Sequence, residues 1–157
     1  MLCLSQTTGY AVHALACVAL ENGKPCFVRD VAQCANLPKP YLAKIINSLA
    51  HHGLVLAKRG YRGGISLSRA PEKISLLEVV EAVEGKNWIG PCLLGLDDCA
   101  ARRVCPTKLK WTKVRRLITN ILHTTTLADT LPYLRGEKPR PQPRKLKRCC
   151  GQGCTAR

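Results

Sequence analysis

Three cysteines, Cys92, Cys99 and Cys105, fall within fourteen residues at the spacing C-x6-C-x5-C. Thiolates are soft donors, and three of them on one loop suit a soft metal ion or an iron–sulfur cluster. Structural zinc sites usually show paired C-x2-4-C knuckles together with His, a pattern absent here. The longer spacings fit a cluster held by three cysteines, with a fourth ligand from elsewhere. On chemistry alone, zinc, free thiols and redox disulfides stay open as alternatives. Pro91 and Gly95 keep the stretch out of helix, and Arg102 and Arg103 offset the thiolate charge.

A second chemistry is the binding of polyanions. The 157 residues hold 25 Lys/Arg against 10 Asp/Glu, a formal charge of +15. A surface this basic attracts nucleic acid above all, although a generic basic protein has the same balance. Residues 135–157 contribute +7 of it, and the remainder is still +8. The part of the chain that can fold is therefore basic without its tail.

Ten cysteines would suit disulfides in a secreted protein. The start of the chain, however, lacks a basic stretch followed by an apolar run. No later segment reaches about 18 consecutive apolar residues either. The expectation is a cytoplasmic chain without a membrane segment, in which clustered cysteines mean metal or redox chemistry. Cys17 and Cys34 lie in helical stretches and read as small core residues. Cys3 and Cys26 take no assignment. Cys149, Cys150 and Cys154 read as adventitious metal ligands or as a redox adaptation of the tail.

The elements that must position these residues follow from periodicity. Residues 5–21 predict a first helix, with hydroxyls at Ser5, Thr7 and Thr8 for capping and an apolar stripe of Tyr10, Ala11, Ala14, Leu15 and Val18. Asn22-Gly23 stops it. Residues 27–36 predict a short helix and residues 37–40 a turn. Residues 41–52 predict a third helix, with Leu42, Ile45, Ile46 and Leu49 facing inward. Short helix, tight turn and helix make a helix-turn-helix. Residues 54–59 and 65–69 predict two strands around the glycine-rich Gly60-Tyr-Arg-Gly-Gly64, which forms a basic wing whose glycines permit close approach to another surface. Residues 75–84 predict a helix opened by a Ser75/Glu78 capping box and closed by Gly85.

Residues 106–124 predict a long helix. Its stripe of Leu109, Val114, Leu117, Ile118, Ile121 and Leu122 must pack on something, and a second subunit is the economical partner. Residues 126–131 predict a final turn capped by Thr126. The fold class is mainly α with a small β-hairpin wing: a winged helix-turn-helix plus a long C-terminal dimerisation helix. The chain divides into a DNA-binding domain at 1–85, a cluster-binding loop at 86–105, a dimerisation segment at 106–133 and a basic, disordered tail at 134–157.

A recognition helix presents its N-terminal residues to base edges or phosphates. Here these are Lys39, Pro40, Tyr41, Ala43 and Lys44. Lys44 can reach a base or a phosphate, Tyr41 a phosphate, and Ala43 only a thymine methyl, so direct readout from this helix is sparse. On the wing, Lys58, Arg59 and Arg62 are cationic, with Arg62 suited to a narrow minor groove and Arg59 to a phosphate. Arg29 is a further phosphate candidate. No nucleophile–base–acid set and no nucleotide loop is present, so an enzyme is not expected. An iron–sulfur electron-transfer protein is a weaker alternative, because ferredoxin-type runs need four close cysteines.

The segments LSQTTGYAVHAL, PKPYLAKIINSLAHHGLV, KRGYRGGISLS and ISLLEVVEAVEG and the three-cysteine loop occur in that order. Together, over about residues 2–133, they resemble the IscR/NsrR/RirA family of bacterial iron–sulfur winged-helix transcription regulators, the Rrf-two family. The resemblance implies a homodimeric regulator, usually a repressor. By the same resemblance, a cluster at Cys92, Cys99 and Cys105 sets its affinity for a pseudo-palindromic double-stranded operator. The signals it implies are iron or cluster supply, nitric oxide or redox state. IscR-type proteins place a His three residues after the third cysteine, where this chain has Lys108, and NsrR-type proteins place an acid near Thr8-Gly9. His13 of the partner subunit is then the candidate fourth ligand, with Asp97, Asp98, water or a small thiol as rivals. A 4Fe–4S cluster is favoured over 2Fe–2S.

Overall fold

The computed structural model describes residues 4–58, 63–95 and 105–134. Arg59, Arg62, Cys99, Asp97, Asp98 and the tail lie outside these described residues.

Helix α1, Gln6–Ala19, forms the centre of the fold, packed against the helices at 28–34, 39–51, 76–84 and 127–134 and against the wing. Its Ala11, Ala14, Leu15, Ala16 and Val18 are buried. The small side chains let neighbouring helices approach closely, and burial of each larger one contributes roughly 1.5–3 kcal/mol. Helix α2, Val28–Cys34, buries only Val31 and Ala32. Asn36 then turns the chain at φ +52°, and Asn tolerates that left-handed backbone better than most residues do. Helix α3, Lys39–His51, has Pro40 in its first turn and buries Leu42, Ile45, Ile46 and Leu49, the set expected from periodicity. Gly53, at φ +68°, ends the hairpin of helices.

Strands β1, Val55–Lys58, and β2, Gly64–Leu67, pair antiparallel, with Val55 opposite Leu67 and Lys58 opposite Gly64. A single bridge extends this sheet: Cys26 exchanges both backbone hydrogen bonds with Ile65. That pairing explains Gly64, because a Cβ there would stand 2.9 Å from the Cys26 carbonyl oxygen. The close approach that the wing glycines allow is thus, at Gly64, to the chain's own backbone.

A 3-10 turn at Pro71–Lys73 leads into α4, Leu76–Glu84. The expected capping box is complete: the Glu78 N–H donates to the Ser75 hydroxyl, and the Glu78 carboxylate accepts from the Ser75 N–H at 2.9 Å. The Arg69 guanidinium also pairs with that carboxylate. Burial pushes Glu78 up, but the Ser75 and Arg69 contacts together outweigh it and hold the carboxyl below its usual range.

Helix α5 spans Lys108–Thr124, and α6 spans Leu127–Leu134. The final turn expected at 126–131 is a helix of eight residues with a cap of its own. Thr126 donates its N–H and hydroxyl to Asp129, both at 2.8 Å. The Leu127 N–H donates to the Ile74 carbonyl and the Leu76 N–H to that of Thr125. These bonds return the chain to the head, where Leu127 is fully buried in the core with Leu15 and Ile74. No helix among the described residues is long and apolar enough to cross a membrane.

Candidate DNA interface and cysteine loop

Since α3 buries Leu42, Ile45, Ile46 and Leu49, its opposite face is open. Pro40, Ala43, Lys44 and Asn47 are exposed there at helical spacing, and Lys39 is exposed at the helix start. The helix contains no acidic residue, so nothing on it opposes an approaching phosphate. Asn47 escaped the sequence reading, although its place one turn after Lys44 was visible in the spacing. It lines a groove of about 550 Å³ between α3 and the wing, together with Lys58, Phe27 and Val28. Asn is also a side chain that can read adenine bidentately.

Tyr41 sits differently from Lys44. Its hydroxyl shares a 2.6 Å hydrogen bond with the Thr7 hydroxyl, and its ring meets Tyr10 edge-on at 5.8 Å. Both contacts fasten the start of α3 onto α1, and the first leaves the half-buried Thr7 hydroxyl engaged as well. Arg29 is exposed, but it pairs with Asp30 at 3.3 Å and lies 4.9 Å over the exposed Phe27 ring, so its charge is partly offset.

Helix α1 is not capped by the hydroxyls expected to do so. Ser5 occupies the N-cap position without a side-chain cap bond. Instead the Glu84 carboxylate, at the far end of α4, accepts from the Ser5 N–H at 3.0 Å and from the Thr8 hydroxyl at 2.5 Å. The bonds from Ser5 and Thr8 hold Glu84 below the usual carboxylate range. A carboxylate at a helix N-terminus also meets the positive end of the helix dipole. No sequence rule connects residues 5 and 84.

At the cysteine loop, the end of α4 passes through Gly85 (φ +84°) to Gly90, whose carbonyl accepts from the Trp111 indole N–H at 3.1 Å. Trp111 is buried on α5 and was missing from the expected stripe. Cys92 follows this anchor, and Gly95 closes a turn back onto the Cys92 carbonyl. At the other end, the Cys105 thiol and the Thr107 hydroxyl are 3.1 Å apart, at the start of α5. Cys92 and Cys105 are both half-buried. Among the described residues, no group of three or more His, Cys, Asp or Glu converges. His13 is half-buried on α1 and belongs to no such group among the described residues.

A second expectation, on the cysteines, is also overturned. Cys17 and Cys34 are not separate small core residues: they form a disulfide between α1 and α2, across a Cα–Cα distance of 6.2 Å. Each stands on its helix face toward the other, which periodicity within one helix cannot reveal. Nearby, Cys26 donates its thiol to the Ile65 carbonyl at 3.3 Å. Burial, with Glu21 and Asp30 adding to it, pushes this thiol up and keeps it protonated.

This architecture is that of winged-helix regulators of known structure. CymR, the global cysteine regulator of B. subtilis, superposes with a TM-score of 0.68 at 27% identity, over 85% of this chain and 98% of that one. The IscR of T. potens superposes with a TM-score of 0.69 at 28% identity, over 89% of this chain and 94% of that one. By sequence, a protein of Aquifex aeolicus named as an HTH-type transcriptional regulator is 32% identical, across 81% of this chain and 90% of its own length. Residues 4–132 match the family model described as iron-dependent transcriptional regulator. The chain is a transcriptional regulator and belongs to the Rrf2 family.

Proposed function

We propose that the chain is a cytoplasmic, homodimeric repressor of a pseudo-palindromic double-stranded operator, with an affinity set by an iron–sulfur cluster at Cys92, Cys99 and Cys105. The observation that carries this reading is the fastening of the loop ends. Trp111 of α5 holds Gly90 just before Cys92, and Thr107 meets Cys105 at the start of α5. Cys92 and Cys105 fit as ligands because both are half-buried cysteines at the two ends of one loop. Cys99 would be the third ligand and His13 of the partner subunit the fourth. When bound, the cluster supplies a rigid, iron-dependent cross-link between these positions, 4Fe–4S in preference to 2Fe–2S.

The chain's own residues then carry the coupling. Gly90 follows α4, and the Glu84 carboxylate of α4 holds the start of α1. Thr7 and Tyr10 of α1 hold Tyr41 on the recognition helix. Displacement of the loop shifts the balance between head arrangements, and the two forms differ in operator affinity. Lys39, Lys44 and Lys58 meet phosphates, Pro40 and Asn47 the major groove, and Arg29 a flanking phosphate, while Arg59 is assigned a phosphate and Arg62 the minor groove from the sequence alone.

Anaerobic purification tests the reading. The expected product is brown, contains iron and acid-labile sulfide, and binds its own promoter far more tightly than random DNA at fixed salt. Loss of iron on chelation should change that affinity. His13→Ala should change the absorption spectrum if His13 is a ligand. A colourless protein that takes up no iron on anaerobic reconstitution would sink the cluster. A second reading keeps the regulator and substitutes zinc or a thiol–disulfide switch. The Cys17–Cys34 bridge favours it, because it brings sulfur redox chemistry into the head. Zinc without sulfide would select it.

A further inference from the structure

The Cys17–Cys34 bridge joins α1 to α2, and its two cysteines differ in burial. Cys17 is on the central helix and is only 6% exposed. Cys34 is the last residue of α2 and faces solvent. A cavity of about 80 Å³ adjoins both, bounded by Leu20, Glu21, Asp30 and Val31. Cys26 borders the same cavity, but its protonated thiol is committed to the Ile65 carbonyl and is a poor nucleophile. The exchange chemistry is left to the bonded pair.

We propose that Cys17 and Cys34 are a reversible thiol–disulfide site, entered at Cys34 by low-molecular-weight thiols and disulfides, that sets how firmly α2 is held against α1. In the reducing direction an external thiolate attacks the Cys34 sulfur. The Cys17–Cys34 bond breaks, and Cys17 leaves as a thiolate and takes up a proton. A second external thiolate then attacks the outer sulfur of the mixed disulfide and releases Cys34. Two thiols are oxidised to one disulfide and the protein disulfide is reduced by two electrons. In the oxidising direction the Cys34 thiolate attacks a small disulfide, and Cys17 then displaces the bound thiol.

The geometry gives this exchange a consequence. Only Val31 and Ala32 of the seven residues of α2 are buried, so the covalent link supplements a thin apolar contact. Helix α2 is the first helix of the helix-turn-helix, carries Arg29 and packs on α3. With the bridge intact α2 is clamped to the core; with both thiols reduced it is free to shift. The effect on DNA rests on the regulator reading proposed above.

The test uses the full chain equilibrated with mixtures of reduced and oxidised glutathione, with Cys17→Ser/Cys34→Ser as its control. Peptide mapping should find the Cys17–Cys34 linkage in oxidised protein and not in reduced protein. Reduction should speed amide exchange of residues 28–34 about tenfold and weaken operator binding roughly fivefold. The double variant should match the reduced protein in both measurements and ignore the glutathione ratio. Failure to find this linkage overturns the proposal. So does a linkage whose reduction leaves amide exchange and operator affinity unchanged, since the bridge is then a passive staple. Should neither oxidised protein nor the double variant prefer an operator to random DNA, the regulator reading itself falls, and the DNA-binding part of this proposal with it.

Discussion

Individual side chains on α3 divide into those that touch the fold and those that are free to touch DNA. Tyr41 is committed to Thr7 and Tyr10, whereas Lys44 and Asn47 are exposed with no acid on their helix. Lys44 offers a point charge and Asn47 a paired donor and acceptor, so their losses should read differently. Lys44→Ala should weaken binding to all sequences alike and lower the salt slope by about one. Asn47→Ala should cost about 1–3 kcal/mol at one base position and relax the preference there. Titrations of an operator and its single-base variants at several salt concentrations separate the two. A uniform loss from Asn47→Ala would reduce it to a backbone contact. Spacing alone was enough to place Lys44 on an open face. It was not enough to show that the Tyr41 hydroxyl is already engaged, or that Cys17 and Cys34 meet, because those facts depend on how helices are set against one another.

The elements themselves were legible wherever the signals were local. The α3 core set, the Ser75/Glu78 box and the Gly85 stop are all readable within a few residues, and all are present. Long-range capping is not readable in this way, and Glu84 is the clearest case. Its folded-state pKa lies below the ordinary value, so its contribution is complete above about pH 4.3 and is lost as pH falls through the lowered folded value. Glu84 is largely exposed, so solvent screening limits its worth, and a cap of this kind contributes on the order of 1 kcal/mol. Glu84→Gln should lower stability by about that amount near neutrality, and the gap to wild type should close in acid. Urea unfolding at a series of pH values would check this. A gap that persists unchanged once the carboxyl is protonated in strong acid would mean that the carboxylate charge is not what holds Ser5 and Thr8.

On the scale of the whole molecule, the chain closes on itself at one end and stays open along α5. Leu127 completes the core beneath α1, and Leu127→Ala should cost about 2–5 kcal/mol in thermal or denaturant unfolding. A much smaller loss would mean that α6 is only loosely docked. Along α5 the balance is reversed. Trp111 and Leu122 are buried, but Leu109, Val114, Leu117 and Ile121 are 78%, 42%, 59% and 52% exposed. Four large apolar side chains facing water along one helix are poorly accounted for by a lone subunit. A twofold copy would bury the stripe against itself, and stable dimers bury on the order of 1,200–2,000 Å² in total. Because Trp111 ties the same helix to the start of the cysteine loop, a dimer formed along α5 would share a support with that loop. Leu117→Glu with Ile121→Lys places charges within the stripe and spares the residues that α5 buries against its own subunit. The double variant should sediment as a monomer, unfold within a few degrees of the temperature at which isolated wild-type subunits would, and lose at least tenfold in operator affinity, since two half-sites need two heads. Analytical ultracentrifugation paired with operator titration decides the matter: a variant that remains dimeric with full affinity would move the dimer contact away from α5.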